Sequence, residues 1–322
     1  MKQALSLIGE DLKRVELQFV KDLQSDVPLI RKVGEYVLAS GGKRIRPALL
    51  LLTAHLCGYG GDRHIPLASV VEFIHTATLL HDDVVDNANL RRGNASAKSL
   101  WGNEASVLVG DFLFSKSFSL MVADGDIRIL KVMADATTKI AEGEVLQLLC
   151  TSDLEITQER YIEVVKSKTA VLISAACQAG AILGGASAEL EEHAAAFGMN
   201  LGIAFQLMDD TLDYTASEEQ FGKTIGHDLE EGKITLPLIH TLARCSAEER
   251  GFIASVVEKE ELGDGDFEQV LRLVEEQGGI GYTVGAALEY VRTAKEHLAP
   301  FPENAARSAL LELADFVVQR TR

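Results

Sequence analysis

With 322 residues, 47% of them hydrophobic and 25% charged, the chain has ample material for a large packed core, and its composition excludes an intrinsically disordered protein. A formal charge of −17 excludes binding to nucleic acid or an anionic membrane through the overall field, so an anionic ligand must find a local basic pocket. The four cysteines, Cys57, Cys150, Cys177 and Cys245, show neither a zinc spacing nor a disulfide framework, which fits a reducing cytoplasm.

In chain order, the first stretch, MKQALSLIGEDLKRVELQ, has acidic residues within its first dozen and no apolar h-region, so it reads as an amphipathic helix and not a signal peptide. No proline lies between Pro66 and Pro237, and the intervening sequence is rich in Ala, Leu, Glu and Lys with apolar residues three and four apart. Proline breaks helix interiors, so the pattern predicts an all-helical chain. Helices are predicted over roughly 3–24, 28–40, 46–57, 66–86, 94–101, 105–122, 126–149, 157–184, 189–216, 235–244, 247–257, 267–276, 280–298 and 303–319, with ends uncertain by about 2–4 residues. Glycine-rich breaks at Gly58–Gly61, Gly222–Gly232 and Gly263–Gly265 read as loops, and none has the composition of a domain linker. The expectation is all-α: a single-domain helical bundle over residues 1–322 with a central active-site cavity. The uncharged run Thr169–Ser187 reaches the length that raises a membrane question. Its Ala, Gly and Ser content, with Gln178 in the middle, predicts a closely packed core helix and no transmembrane span.

Three motifs carry the chemistry. In GGKRIRP, Gly41 to Pro47, two glycines and a proline fix a loop that opens a helix, and Lys43, Arg44 and Arg46 crowd there. Close backbone approach, a helix start and cationic side chains suit an anion, although the loop lacks the P-loop pattern and alone reads as solvated. In EFIHTATLLHDDVVDNANLRRG, Glu72 to Gly93, Asp82 and Asp86 are four apart, which on a helix stacks two carboxylates about 6 Å apart on one face. Like charges so placed call for a cation between them. His75, two helical turns earlier, shares roughly that face, and Arg91 and Arg92 follow. FQLMDDTLDY, Phe205 to Tyr214, repeats the DDxxD spacing with Asp209, Asp210 and Asp213. One such motif reads equally well as a solvated helix end, but two copies in apolar surroundings imply a shared metal site. Hard oxygen donors suit Mg2+, held by one or two carboxylates together with substrate phosphates. The basic residues form a second anion site without acidic ligands, so two phosphorylated substrates are expected.

These motifs, with ASVLVGDF, IAEGEVLQL, SKTA, GKTIGHDLEEGKITLPLI and the final FVVQRTR, run in order over nearly the whole chain. The sequence resembles the trans-isoprenyl diphosphate synthases, the head-to-tail polyprenyl synthetase family, and the resemblance implies the isoprenoid synthase bundle. It further implies that Asp82, Asp86 and Asp209 reach three Mg2+ ions bridging the diphosphate of an allylic substrate, with Arg91, Lys168 and Lys233 completing that site. By the same resemblance Lys43, Arg46, His75 and Arg92 bind isopentenyl diphosphate, Thr169 and Gln206 place oxygens near the reacting allylic carbon, and Lys223 approaches the allylic diphosphate on closure. It implies a cytoplasmic homodimer whose product passes to membrane enzymes for quinone side chains. Two small departures, NASA after RRG and His227 before Asp228, touch none of these residues.

Product length turns on Ala77 and Thr78, five and four residues before Asp82, where short-chain relatives place aromatic floors. Here the path stays open past Ile74, and the 16 residues back to Pro66 span only about 24 Å of helix, so a deeper floor is sought elsewhere. Phe114, Phe118 and Met121 share a face, and Met121 with Met133 is the candidate floor; each alone reads better as ordinary core, and only the family resemblance raises it above that. About eight isoprene units, a C40 product grown on farnesyl diphosphate, is the expectation from this analogy. The alternatives are a shorter-chain synthase making geranylgeranyl or farnesyl diphosphate, and a non-catalytic subunit of a heteromeric synthase, which would lose aspartates that are intact here.

Overall fold

The computed structural model describes residues 2–91, 93–215, 226–259, 262–263 and 265–319. Among these the elements are α1 (Lys2–Asp22), α2 (Pro28–Ala39), α3 (Ile45–Leu56), α4 (His64–Val85), a hairpin pairing Leu90–Arg91 with Asn94–Ala95, α5 (Ala97–Trp101), α6 (Asn103–Asp124) and α7 (Ile127–Cys150). There follow α8 (Gln158–Val165), a π-helical stretch Lys166–Ala170, α9 (Val171–Leu183), α10 (Ala188–Thr215), α11 (His227–Glu230), α12 (Leu236–Leu242), α13 (Ala247–Val257), α14 (Asp266–Glu276), α15 (Gly279–His297) and α16 (Ala305–Val318). The all-α fold predicted from sequence is the fold observed. The chain divides into two compact units, residues 1–137, 172–198 and 295–313 in the first and 138–171, 199–294 and 314–322 in the second.

In the first unit α4 is the central element. Its apolar residues leave almost no polar face, and it is buried along most of its length against α6, α1 and α3. Phe19, Leu23, Phe73, Leu80, Val109 and Leu113 belong to one core cluster there. α9 packs on α3 through glycine: a Cβ on Gly180 would lie 2.6 Å from Leu50 O and 2.9 Å from Ala54 N. α9 is buried almost throughout, as its Ala and Gly content predicts. Among the described residues the helix that does reach membrane-crossing length and hydropathy is α6. One face of it, Val109, Leu113, Ser117 and Met121, is core, while Leu108 and Val122 stand exposed.

The second unit has its own core, with Tyr214, Leu238, Ile253, Val256, Val270 and Val274 in a single cluster. Its helices begin at recognisable signals. Thr157 caps α8 by accepting from Arg160 N–H, and Ser246 with Glu249 forms a reciprocal capping box at α13.

Three predicted boundaries shift. Residues 94–95 belong to the hairpin, so the helix expected from 94 starts at Ala97. A short helix, α11, lies inside the expected glycine loop. The helix expected over 157–184 is interrupted by the π-helical turn, and the cause lies outside that segment. A Cβ on Gly143 of α7 would sit 2.8 Å from Lys168 N, and one on Gly202 of α10 would sit 2.6 Å from Ala170 Cα. Two glycines on neighbouring helices thus leave the space that the widened turn fills.

Candidate active site

In the first unit the DDxxD motif terminates α4. Asp82 lies in the last turn, Asp86 is the C-cap, and Asn87 adopts the left-handed conformation at φ 50° that Asn tolerates at helix ends. The chain then reverses into the hairpin, which carries Arg91 back to Asp83 at 2.5 Å. Asp83 is 2% exposed, whereas Asp82 and Asp86 are partly exposed. Burial raises the Asp83 carboxyl above its ordinary value, Arg91 opposes this, and the flanking Asp82 and Asp86 add to it. Asp83 is thus buried against an arginine, while Asp82 and Asp86 keep part of their surface exposed.

The basic loop forms as its glycines demand, with Gly41 at φ 84° and Gly42 at φ 153°. Arg44, itself left-handed at φ 48°, is committed to structure: it donates to Glu72 at 2.6 Å and to Leu38 O at 2.8 Å. That frees the loop to present its neighbours. Arg46 meets His75 Nε2 at 3.2 Å and Lys43 is exposed, so three of the four residues assigned to isopentenyl diphosphate are placed in this unit. The fourth, Arg92, lies outside the described residues, as does Lys223. Of the residues expected to line a chain-length tunnel, Ile74, Ala77, Met121 and Met133 are fully buried, while Thr78 and Phe118 are partly so. Ala77 belongs to the core cluster of Phe73, Leu80 and Leu113.

In the second unit the π-helical turn carries Lys168 and Thr169. π-turns recur at functional sites because they re-aim side chains that a regular helix would stack. Lys168 Nζ donates to Glu144 at 2.7 Å, and Thr169 donates to Gln206 Oε1 at 2.9 Å. Gln206 Nε2 donates in turn to Asp210 at 2.8 Å, and Tyr161 donates to the other oxygen of the same carboxylate. Burial raises Asp210 to about 7, against the hydrogen bonds of Tyr161 and Gln206 and with the neighbouring Asp209 and Asp213 adding to the rise. Asp209 is partly exposed. Asp213 accepts from Asp228 N–H at 3.0 Å, and Lys233 donates to Glu231 at 2.5 Å. A cavity of about 140 Å³ is lined by Lys168, Thr169, Gln206, Asp210, Asp228 and Lys233 among others. Four residues that the sequence assigns to one ligand thus share one cavity.

Sequence reasoning missed Asp83, Asp210, Tyr161, Glu144 and Glu231. The first two had a signal, the doubled aspartate of each motif; the others had none in spacing or composition.

Residues 27–274 match the family model described as polyprenyl synthetase. The chain belongs to the polyprenyl synthetase family. That membership makes it an enzyme, a trans-prenyltransferase. This polyprenyl synthetase is 45% identical to the octaprenyl diphosphate synthase of Escherichia coli K12 over 318 residues, 98% of each chain. Among solved structures it resembles a polyprenyl synthase from Caulobacter crescentus complexed with calcium and isoprenyl diphosphate, with TM-score 0.96 and 44% identity over 100% of this chain and 98% of the other. It also resembles a decaprenyl diphosphate synthase from Rhodobacter capsulatus, with TM-score 0.95 and 43% identity over 100% and 99%.

Proposed function

We propose that this polyprenyl synthetase, one catalytic domain over residues 1–322, is a long-chain synthase. It adds isopentenyl diphosphate repeatedly to an allylic primer, farnesyl diphosphate, and makes an octaprenyl product of the kind named for its Escherichia coli relative. The observation that carries the reading is the cavity where Lys168, Thr169, Gln206 and Lys233 meet, together with two DDxxD motifs whose outer aspartates are partly exposed. Asp82, Asp86 and Asp209 supply hard oxygen donors of the kind Mg2+ takes. Three Mg2+ ions on the allylic diphosphate would neutralise its charge and make it a better leaving group.

The protein's own part is electrostatic and geometric. Lys168, Arg91 and Lys233 stabilise charge on the departing diphosphate, favouring C–O cleavage to an allylic cation. Lys43, Arg46, His75 and Arg92 hold isopentenyl diphosphate so that its alkene attacks that carbon and forms the new C–C bond. Thr169 and Gln206 turn oxygens toward the cation. Loss of a proton to the released diphosphate then restores an allylic diphosphate longer by one unit. Water, which would quench the cation, must be kept from the reacting carbon.

Exposed Leu108 and Val122 on α6 and Leu149 on α7 support a homodimer. A cytoplasmic enzyme handing its product to membrane enzymes of quinone assembly completes the proposal. Incubating the purified protein with labelled isopentenyl diphosphate, farnesyl diphosphate and Mg2+ and sizing the products tests it. A ladder ending near octaprenyl is expected; products stopping at geranylgeranyl would overturn the chain length, and no elongation would overturn the activity.

A further inference from the structure

One titratable cluster lies apart from the diphosphate chemistry. Asp11 of α1, His55 in the last turn of α3 and His64 at the start of α4 converge within the first unit. Both imidazoles turn Nε2 toward a single oxygen, Asp11 Oδ2, at 3.1 and 3.2 Å, and the three ligand atoms lie within 4.8 Å of one another. His64 is 5% exposed, and its ring meets those of His55 and Tyr59 edge to face, with centroids at 5.8 and 5.5 Å. The other Asp11 oxygen accepts from Arg14 at 3.2 Å, so Oδ2 is presented alone. Burial pushes the Asp11 carboxyl upward, but the two histidines more than reverse this and hold it below the ordinary value.

The geometry points to a transition-metal site at Asp11, His55 and His64, separate from the DDxxD motifs, that takes Zn2+ or a similar borderline cation. Two imidazoles and one carboxylate with a fourth position open to water is an established donor set for Zn2+, and imidazole does not suit Mg2+. Bonds of about 2.0–2.2 Å in tetrahedral geometry place ligand atoms roughly 3.3–3.5 Å apart. The two observed Asp11–histidine separations, 3.1 and 3.2 Å, lie within a few tenths of an ångström of that spacing, and the two imidazole nitrogens lie within 4.8 Å of each other. The His55 side chain is 30% exposed, which leaves a route for the ion and its water. His64 Nδ1 is buried with no hydrogen-bond partner among the described residues. The outer hydrogen bond that usually steadies a metal-bound imidazole is missing, which lowers affinity by about 10–100-fold. The ligands come from three helices that pack on one another, α1, α3 and α4, so the ion staples the amino-terminal helix to the core of its unit.

Co2+ reports on such a site because tetrahedral coordination gives strong visible absorption and octahedral coordination gives little. Full-length protein stripped with EDTA is titrated with Co2+ in the absence of Mg2+, and its melting temperature is followed in parallel. One equivalent should produce the visible band and raise the melting temperature, Zn2+ should displace the band, and excess Mg2+ should leave it. His55→Ala and Asp11→Asn, each checked for native helicity by circular dichroism, should lose both effects, whereas Asp82→Ala should keep both. The site is refuted if folded wild-type protein gives no band, if the band survives in His55→Ala, or if Asp82→Ala abolishes it. Should Asp11→Asn fail to fold, the partly exposed His55→Ala decides.

Discussion

Within each DDxxD motif the three aspartates do different work. Asp83 and Asp210 are both 2% exposed and committed to protein partners, Arg91 in one case and Tyr161 with Gln206 in the other. The partly exposed Asp82, Asp86 and Asp209 are the ones assigned to metal. Asp82→Ala or Asp209→Ala should therefore lower kcat by about 10²–10³-fold or more, as loss of a group acting on transition-state charge does, while the helical fold persists. Steady-state kinetics with circular dichroism checks this. Lys43→Ala or Arg46→Ala should raise KM for isopentenyl diphosphate more than for the primer, since no metal shares that load; an equal rise for both substrates contradicts the assignment. Glu231 gives a pH signature. Burial alone would raise its carboxyl, but His227 and Lys233 hold it down to about 2. A carboxyl lowered on folding contributes stability that is fully present above its unfolded value and lost as pH falls toward the folded one. The stability gap between wild type and Glu231→Gln should therefore shrink from pH 5 downward in denaturant titrations. At this scale the repeated spacing was enough to single out Asp82, Asp86 and Asp209 as candidate metal carboxylates. It said nothing about Tyr161 or Glu144, because their roles arise from contacts across 49 and 24 residues.

The elements were legible where periodicity rules and obscure where a neighbour decides. An absence of proline and a run of threes and fours located nearly every helix. The π-turn at Lys166–Ala170 left no trace in its own sequence, because Gly143 and Gly202 on other helices make the room for it. The hairpin was missed for a related reason: with two residues per strand there is no alternation to read. Gly202→Val should push the π-turn aside and displace Thr169 from Gln206. We expect destabilisation of about 1–3 kcal/mol and a fall in kcat out of proportion to any change in primer KM. Denaturant melts and kinetics on the same variant separate the two effects. On α4, Ala77→Phe should shorten the main product toward the farnesyl or geranylgeranyl range, because the ring would enter about one helical turn below Asp82. An unchanged product ladder would mean that the chain grows along another path. Since Ala77 sits among Phe73, Leu80 and Leu113, thermal melts should accompany the sizing.

For the whole molecule, the charge of −17 sets a condition that no single residue shows. Both proposed substrates are anions approaching a repelling body, so moderate salt, which screens that field, should raise kcat/KM until it begins to weaken the local contacts. A monotonic fall from the lowest ionic strength would show that local attraction dominates throughout. The lysine pairs add a further property. Lys168 and Lys233 are each held by a carboxylate of the same unit, Glu144 and Glu231, at 2.7 and 2.5 Å. In the proposed site the protein's own glutamates would be competing ligands at these two lysines before substrate arrives. A ligand must outbid a carboxylate already in contact, which a densely charged diphosphate can do and a monophosphate or sulfate does poorly. If these lysines bind the allylic diphosphate as proposed, the resting ion pairs would work as a charge threshold, selecting against weaker anions before any tail is measured.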